Sequence, residues 1–586
     1  MAARGVRRWV PGIGVARGYK RAWLWPDVRA GIVVTALLIP AGMGYAEVAG
    51  LPPETGLYAT IVPLTAYAIF GPSRILVLGP DSALAPIIAA AILPLALGDA
   101  QRAVALAGLL AIMVGAVLLL GGILRLGFVT DLLSKPIRVG YLNAIAVIVI
   151  VSQVPKLLGF STDAEGLWSQ VVAIVQAVGA GEVEPLAVAF GVGSLLVIAL
   201  LRWLKSPVPG ILVVVVLAMI VTAVFGLSGA LPVVGALPQG LPAPALEGLA
   251  WTDVAGLALP AAGIALVAFT DSAVLSRTLA ARRGQSVSGS QEMSGIGISN
   301  IAGGLLGGFP VSASSSRTPV AEQAGSKTQL TGLVGAALIL AFILLAPGVT
   351  EFLPSATLAA VVMSAAVGLI DIRGFRALWR MDRVDAALSL AAFLGVLVFG
   401  VLEGILVTIV LSLLAFVNRS WRPYKAELGS VPGLRGYHDL SRYPDRGRTL
   451  PGIVIVRFDA PLFFANGAVF DDWVRERVRA AGPGVHTVIL AAEPITDIDT
   501  TAIDELVELD DYLSAHGIRL VIAEMKDPVV DVLRQYGMTS RFTPDRFAPT
   551  VGAAVDELTG RLRGDLEGTK WDDEAPDGPS SPPKAG

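Results

Sequence analysis

Four hydroxyls and a single cation close on one another in the stretch Gly308–Pro319 (GFPVSASSSRTP), where Ser312, Ser314, Ser315 and Ser316 precede Arg317 and a short apolar run follows. Earlier in the chain, Leu78-Gly79-Pro80-Asp81-Ser82 precedes a second short run, broken by Pro86 and Pro94. A half-helix leaves free N–H groups and about half a positive charge at its N-terminus. Two such ends facing each other form a site for an anion. Around them the serines would add hydroxyl donors and Arg317 a fixed positive charge. Short, Gly/Pro-interrupted apolar segments at corresponding places in two halves point to a binding site near the middle of a membrane. The competing reading is that the serines cap a helix and Arg317 snorkels to the membrane face.

Asp271, in AFTDSA at the end of an apolar run that begins near Gly256, is the second candidate. A carboxylate inside a membrane span costs about 2.5–3.5 kcal/mol on insertion scales and signals function by default. Such a group could take a proton or Na⁺ and couple the entry of an anion to a downhill cation. Its alternative role is structural, bonded to neighbouring hydroxyls. Asp81 sits beside the proposed anion site, where an ionised acid repels the substrate. It therefore either belongs to the coupling machinery or caps the short helix.

The elements that must position these groups are apolar. Of 586 residues, 54% are hydrophobic and 16% charged, against about 25% charged in a soluble domain. Before Arg419, apolar runs of roughly 15–22 residues recur, long enough for a membrane span. Fourteen spans are predicted, starting near residues 30, 55, 81, 103, 137, 186, 208, 254, 290, 317, 330, 355, 384 and 402. The runs after Pro80 and Arg317 are too short to cross about 30 Å of hydrocarbon alone.

Loop charges fit that count. With the N-terminus inside, the inner loops hold Arg74; Arg125, Lys135 and Arg138; Arg202 and Lys205; Arg277, Arg282 and Arg283; and Arg373, Arg376, Arg380 and Arg383. The outer loops hold Arg102 and Lys156 and otherwise acids such as Glu182, Glu247 and Glu403. This is the positive-inside pattern, and it puts both termini in the cytoplasm. Residues 1–29 read as a cytoplasmic N-terminal segment, 30–419 as the membrane domain and 420–450 as a linker. Residues 451–563 alternate short β-rich runs, Gly452–Phe458, Thr487–Ala491 and Ile518–Ala523, with helical patterns, an α/β domain. Residues 564–586, acidic and then Ser/Pro-rich, read as a disordered tail.

The chain has no cysteine, and its three histidines all lie beyond residue 430. The α/β domain shows no nucleophile–base set, phosphate loop or metal-ligand spacing, and no enzyme, cofactor or resident metal is expected. A net charge of −3 gives no reason to expect nucleic acid.

The residues that remain carry a family resemblance. Leu38–Ala46 (LIPAGMGYA), Ala49–Pro53 (AGLPP), Gly56–Ala59, Gly71–Arg74, Gly79-Pro80, Phe309-Pro310 and Ser316–Thr318 resemble the motifs of the sulfate permease (SulP) family, in the family's order. Phe463–Asn466 is similar to the start of the STAS domain such proteins carry. The resemblance implies fourteen spans in two inverted seven-helix repeats, a core and a gate domain, a homodimer, and a cytoplasmic STAS domain. It places an anion between the third and tenth helices and implies elevator-like movement. Substrates of relatives include sulfate, bicarbonate, chloride and dicarboxylates. Carried over by motif, Tyr45, Asp81, Ser316 and Arg317 line the anion site, and Asp271 stands where relatives hold the acid linked to H⁺ or Na⁺ coupling. Two departures stand out: Ala41 replaces a frequent Gln, and Asp81 replaces Thr, Ser or Phe. Both favour cation-coupled uptake over simple exchange. Thr500, in ITDIDTTA, falls where stand-alone STAS proteins carry a phosphorylated serine. The other reading there is that Asp497 or Asp499 caps the helix.

The sequence thus reads as a secondary active transporter in a bacterial inner membrane, importing a small inorganic anion, foremost sulfate, with H⁺ or Na⁺. Rival readings are Na⁺-coupled bicarbonate or H⁺-coupled dicarboxylate symport, and an uncoupled exchanger or channel.

Overall fold

A computed structural model describes residues 10–127, 134–162, 164, 166–204, 206, 208–238, 240, 243–244, 246–284, 286–314 and 316–560. Ser315 and the 564–586 tail, both singled out above, lie outside the described residues. The chain divides into two compact units, one up to Leu413 and one from Leu414.

The first unit is helical because its apolar runs have no other way to satisfy their backbone in hydrocarbon. After a short N-terminal helix α1 (Pro11–Arg17), the helices are α2 (Leu24–Val48), α3 (Pro53–Phe70), α4 (Ala85–Ala96), α5 (Ala100–Ile123), α6 (Lys135–Leu158), α7 (Leu167–Ala180), α8 (Pro185–Trp203), α9 (Gly210–Val224), α10 (Trp251–Arg282), α11 (Gly289–Leu305), α12 (Arg317–Gln323), α13 (Leu330–Leu345), α14 (Ser355–Val367), α15 (Ile372–Met381), α16 (Arg383–Phe399) and α17 (Val401–Trp421). A helix begins within six residues of every expected span start. Among the described residues, six helices are long and apolar enough to cross a membrane by length and composition. Helices α7 and α15 were not anticipated.

Among the described residues, two elements of this unit are strands. Strand β1 (Leu78–Gly79) and strand β2 (Ser312–Ala313) pair antiparallel, Leu78 with Ala313 and Gly79 with Ser312. Each strand lies just before one of the two short helices, α4 of 12 residues and α12 of 7. The two interrupted segments are therefore joined through their backbones.

Glycine sets how closely α5 and α11 cross. On α5, Gly108, Gly115 and Gly122 recur every seventh residue. A Cβ on Gly115 would lie 2.5 Å from the Gly297 carbonyl oxygen, and one on Gly297 would lie 2.8 Å from that of Gly115. Only hydrogen fits at such a crossing, the small-residue packing used where lipid gives helices no hydrophobic reason to associate.

The second unit is a six-stranded sheet in the order β4-β3-β5-β6-β7-β8, built from β3 (Lys425–Ser430), β4 (Tyr437–Asp439), β5 (Ile453–Phe458), β6 (Thr487–Ala491), β7 (Arg519–Ala523) and β8 (Phe547–Ala548). Strands β5 to β8 run parallel, with β3 antiparallel to both β4 and β5. Helices α18 (Gly467–Ala481), α19 (Thr500–Ala515), α20 (Asp527–Gln535) and α21 (Val551–Thr559) complete it. The three β-rich runs read from sequence are β5, β6 and β7. The segment 420–450, expected to be a linker, instead supplies β3 and β4. Its KAELGS run carries too few apolar residues to announce a strand, and pairing with β5 makes it one.

Candidate functional site

The site is assembled where β1 meets β2. Beyond the two-residue ladder, the Ser314 N–H donates to the Val77 carbonyl (3.0 Å), and the Val77 N–H donates to Thr318 Oγ1 (3.1 Å). Arg317, the first residue of α12, is 3% exposed. Its guanidinium Nη2 donates to the Pro80 carbonyl in the other interrupted segment, and the group lies 5.9 Å from the centre of the Tyr45 ring. Arg317 Nε and Nη1 and the hydroxyl of Ser312 are buried without a hydrogen-bond partner.

The other predicted residues lie around this junction. Ser82 is buried and borders the Tyr45 side chain. Ser314 Oγ accepts from the Arg317 N–H (3.2 Å) and bonds the Ser316 hydroxyl (3.2 Å), both at the start of the short helix. Ser316 is exposed. The half-buried Asp81 carboxylate accepts from the Ala83 N–H (3.1 Å) at the start of the turn into α4. Ser314 and Asp81 thus bond to backbone N–H groups close by, and the guanidinium is buried. The second short helix has only seven residues, so the positive charge there belongs chiefly to the Arg317 side chain.

Asp271 lies on α10, where Tyr141 Oη approaches its carboxylate at 3.5 Å. Asp81 and Arg138 are the charges that act on it. The adjacent Ser272 hydroxyl donates to the Ala268 carbonyl (2.6 Å) and accepts from the Ala313 N–H (3.0 Å). One residue from the acid, its helix is thus bonded to β2. Among the described residues, no group of three or more His, Cys, Asp and Glu could hold a metal ion.

Several supporting residues escaped the sequence reading. The Asn300 side chain accepts from the Val311 N–H (2.8 Å) and donates to the Val311 carbonyl (3.1 Å), standing in for a strand next to β2. Gln329 Nε2 donates to the carbonyls of Ser73 and Leu76 (2.9 Å each), holding the approach to β1. Glu292, 1% exposed, accepts from Tyr67 Oη and from Ser276 Oγ (2.8 Å). A lone amide or acid in an apolar run was the readable signal for Asn300 and Glu292. Along the same approach, Ser73, Arg74, Arg283 and Ser286 line a cavity of about 440 Å³.

In the second unit, Asp499 Oδ1 accepts from the Ala502 N–H (2.9 Å), and its Oδ2 accepts from the Phe464 N–H (2.8 Å). Asp499 is the helix cap, and Thr500 is exposed at the first position of α19.

Comparison with known proteins agrees with this architecture. Residues 24–392 match the model of the sulfate permease family, and residues 447–554 match that of the STAS domain. A probable sulfate transporter of Mycobacterium tuberculosis is 40% identical over 557 residues, covering 94% of this chain and 98% of the relative. The chloroplastic sulfate transporter 4.1 of Arabidopsis thaliana is 32% identical over 551 residues, covering 90% of this chain and 79% of the relative. Murine Solute Carrier 26 family member A9, an anion transporter solved in an inward-facing state, has the same fold, with a TM-score of 0.87 at 22% identity over 95% of each chain. The transmembrane domain of a cyanobacterial bicarbonate transporter superposes with a TM-score of 0.59 at 23% identity, covering 68% of this chain and 98% of that one. With its paired interrupted helices and the domain that follows them, the chain belongs to the sulfate permease family of membrane transporters and carries a STAS domain.

Proposed function

We propose that the protein is a secondary active transporter that imports sulfate across a bacterial inner membrane, coupled to H⁺ or Na⁺. The observation that carries this reading is the buried Arg317 guanidinium, whose Nε and Nη1 have no acceptor at the junction of β1 and β2. A buried cation with unmet donors is costly, and a tetrahedral oxyanion supplies the missing acceptors in the fork geometry that guanidinium prefers. The unpartnered Ser312 hydroxyl adds a donor. Tyr45, Ser82, Ser314, Ser315 and Ser316 complete the lining, and Asp81 holds the turn into α4. Asp271 carries the coupling cation, H⁺ or Na⁺, and its bonded neighbour Ser272 transmits occupancy to β2. Sulfate is favoured over bicarbonate because the 40%-identical mycobacterial relative is described as a sulfate transporter.

The fourteen helices at the expected starts suit two inverted seven-helix repeats, a core and a gate. The backbone pairing of the two interrupted segments suits an elevator in which the core carries the anion. The working form is a homodimer with both termini and the STAS domain in the cytoplasm, and Thr500 is a candidate phosphorylation site.

Uptake of labelled sulfate, bicarbonate and succinate into proteoliposomes, each under an imposed inward H⁺ or Na⁺ gradient, tests the proposal. Sulfate should accumulate with one cation only, Asp271→Asn should abolish that dependence, and Arg317→Ala should abolish uptake. Equilibration of anions without regard to either gradient, unaffected by Asp271→Asn, would replace the symporter with an exchanger or channel.

A further inference from the structure

Helix α15 has chemistry that a membrane span does not need. Its sequence, IRGFRALWRM, lies between Asp371, whose carboxylate caps it through the Gly374 N–H (2.7 Å), and Asp382, which caps α16 through the Val384 N–H (2.7 Å). Leu378 is buried and Phe375 half-buried, packed with Val139 of α6 and Ala386 of α16. Beyond that narrow contact, Ile372 is 56% exposed, Trp379 59% and Met381 83%. Arg373, Arg376, Arg380 and the following Arg383 are all exposed, and among the described residues none has a hydrogen-bond or ion-pair partner. The acids nearby, Asp371 and Asp382, are engaged as caps, and Asp385 accompanies Asp382 at the start of α16.

Helix α7 shows the difference. It exposes Trp168 and four valines but carries no charge in LWSQVVAIVQAVGA, as a helix covered by acyl chains alone requires. Across α15, which holds three arginines, and Arg383 at the start of α16, bulky apolar side chains alternate with four guanidinium groups. Neither bulk water nor the hydrocarbon interior suits both sets. The boundary between headgroups and acyl chains does, with Trp and Ile sunk into it and arginines on the phosphates.

We propose that α15 is an interfacial helix that binds the headgroups of anionic phospholipids, with Arg373, Arg376, Arg380 and Arg383 as its phosphate ligands. A row of four arginines beside a membrane is the charge density that selects anionic from zwitterionic lipid. The forked guanidinium takes a phosphate through two N–H groups.

The test uses the full-length protein purified from membranes rich in phosphatidylglycerol. Native mass spectrometry counts the lipids retained, and thermal unfolding is followed as phosphatidylglycerol, phosphatidylcholine or inorganic phosphate is added. The wild type should retain phosphatidylglycerol in preference to phosphatidylcholine and be stabilised by it. Replacing all four arginines with Gln should cut retention about fivefold or more and remove the stabilisation, whereas replacing them with Lys should keep most of both. Arg376→Gln and Arg380→Gln singly should each give a partial loss, which keeps the test open if the fourfold variant does not fold. Equal retention by the wild type and the Gln variant, or no preference between the two lipids, would overturn the proposal. Equal stabilisation by inorganic phosphate would also overturn it, making the site one for a free ion. Retention and melting need no transport, so either outcome is independent of the substrate reading.

Discussion

At the junction of β1 and β2, Ser312 and Arg317 keep buried donors without a partner. Removing a buried hydroxyl that has no partner takes away a desolvation penalty and no bond. Ser312→Ala should therefore leave unfolding stability within about 0.5 kcal/mol of wild type, while raising the KM for sulfate in proteoliposomes. A large drop in melting temperature would show that the hydroxyl is structural. Arg317→Lys keeps the charge but not the planar fork, so transport should fall at least about tenfold even though the protein folds. Uptake at the wild-type rate would mean that charge alone suffices. At this scale, residues that break an apolar context, such as Arg317, Asp271 and the serine run, were legible. Thr318 and Ser272 were not, because a single small hydroxyl in a helix gains a role only from what it faces. Nor does residue type distinguish a lining side chain from one that bonds to its own local backbone, as Ser314 and Asp81 do.

Among the helices, the α5–α11 crossing is the contact least tolerant of change. Gly297→Val would put a side chain where even a Cβ meets the Gly115 carbonyl at 2.8 Å and the Leu119 N–H at the same distance. The helices must then part, at a cost of about 3 kcal/mol. Intrinsic tryptophan fluorescence during heating should show a melting temperature several degrees lower, with loss of uptake. By contrast, Gly193→Ala on α8, with nothing within 4 Å of the new Cβ, should be neutral or stabilise by up to about 1 kcal/mol. If the two variants behave alike, close approach is not what the glycines provide. The positions of the helices in the first unit were legible because apolar runs in hydrocarbon must close their backbone bonds within themselves. Strands β3, β4 and β8 were hidden, because strands of two to six residues are made by their neighbours in the sheet rather than by their own pattern. Helix α15 was hidden for a related reason: in the sequence its arginines look like loop charges that fix orientation.

For the whole molecule, the division at Leu413 and Leu414 has a practical consequence. The second unit has an apolar core of its own, with Val456, Phe458, Leu490, Leu506, Leu509 and Ile522 buried around β5, β6, β7 and α19. A fragment from Arg422 to Gly560 should therefore be soluble and unfold cooperatively, with stability in the usual range of about 5–15 kcal/mol. A gradual, non-cooperative melt followed by circular dichroism would mean that this unit depends on the membrane part. Hydrophobicity falls near Arg419, and the sheet begins at Lys425, well before the point where β-rich runs become visible in the sequence.

The pairing of Leu78 with Ala313 and Gly79 with Ser312 also bears on motion. By sequence, these are the least regular places in the membrane unit, where ordinary reasoning puts the most pliable backbone. Hydrogen bonds to β1, β2, Ser272, Asn300 and Thr318 make them instead a cross-linked node, stitched between positions more than two hundred residues apart in the chain. Their amide hydrogens should be among the last in the membrane unit to exchange with deuterated solvent, later than those at many helix ends. A cargo held at such a node cannot be released by loosening the node itself, so its release must come from what surrounds it.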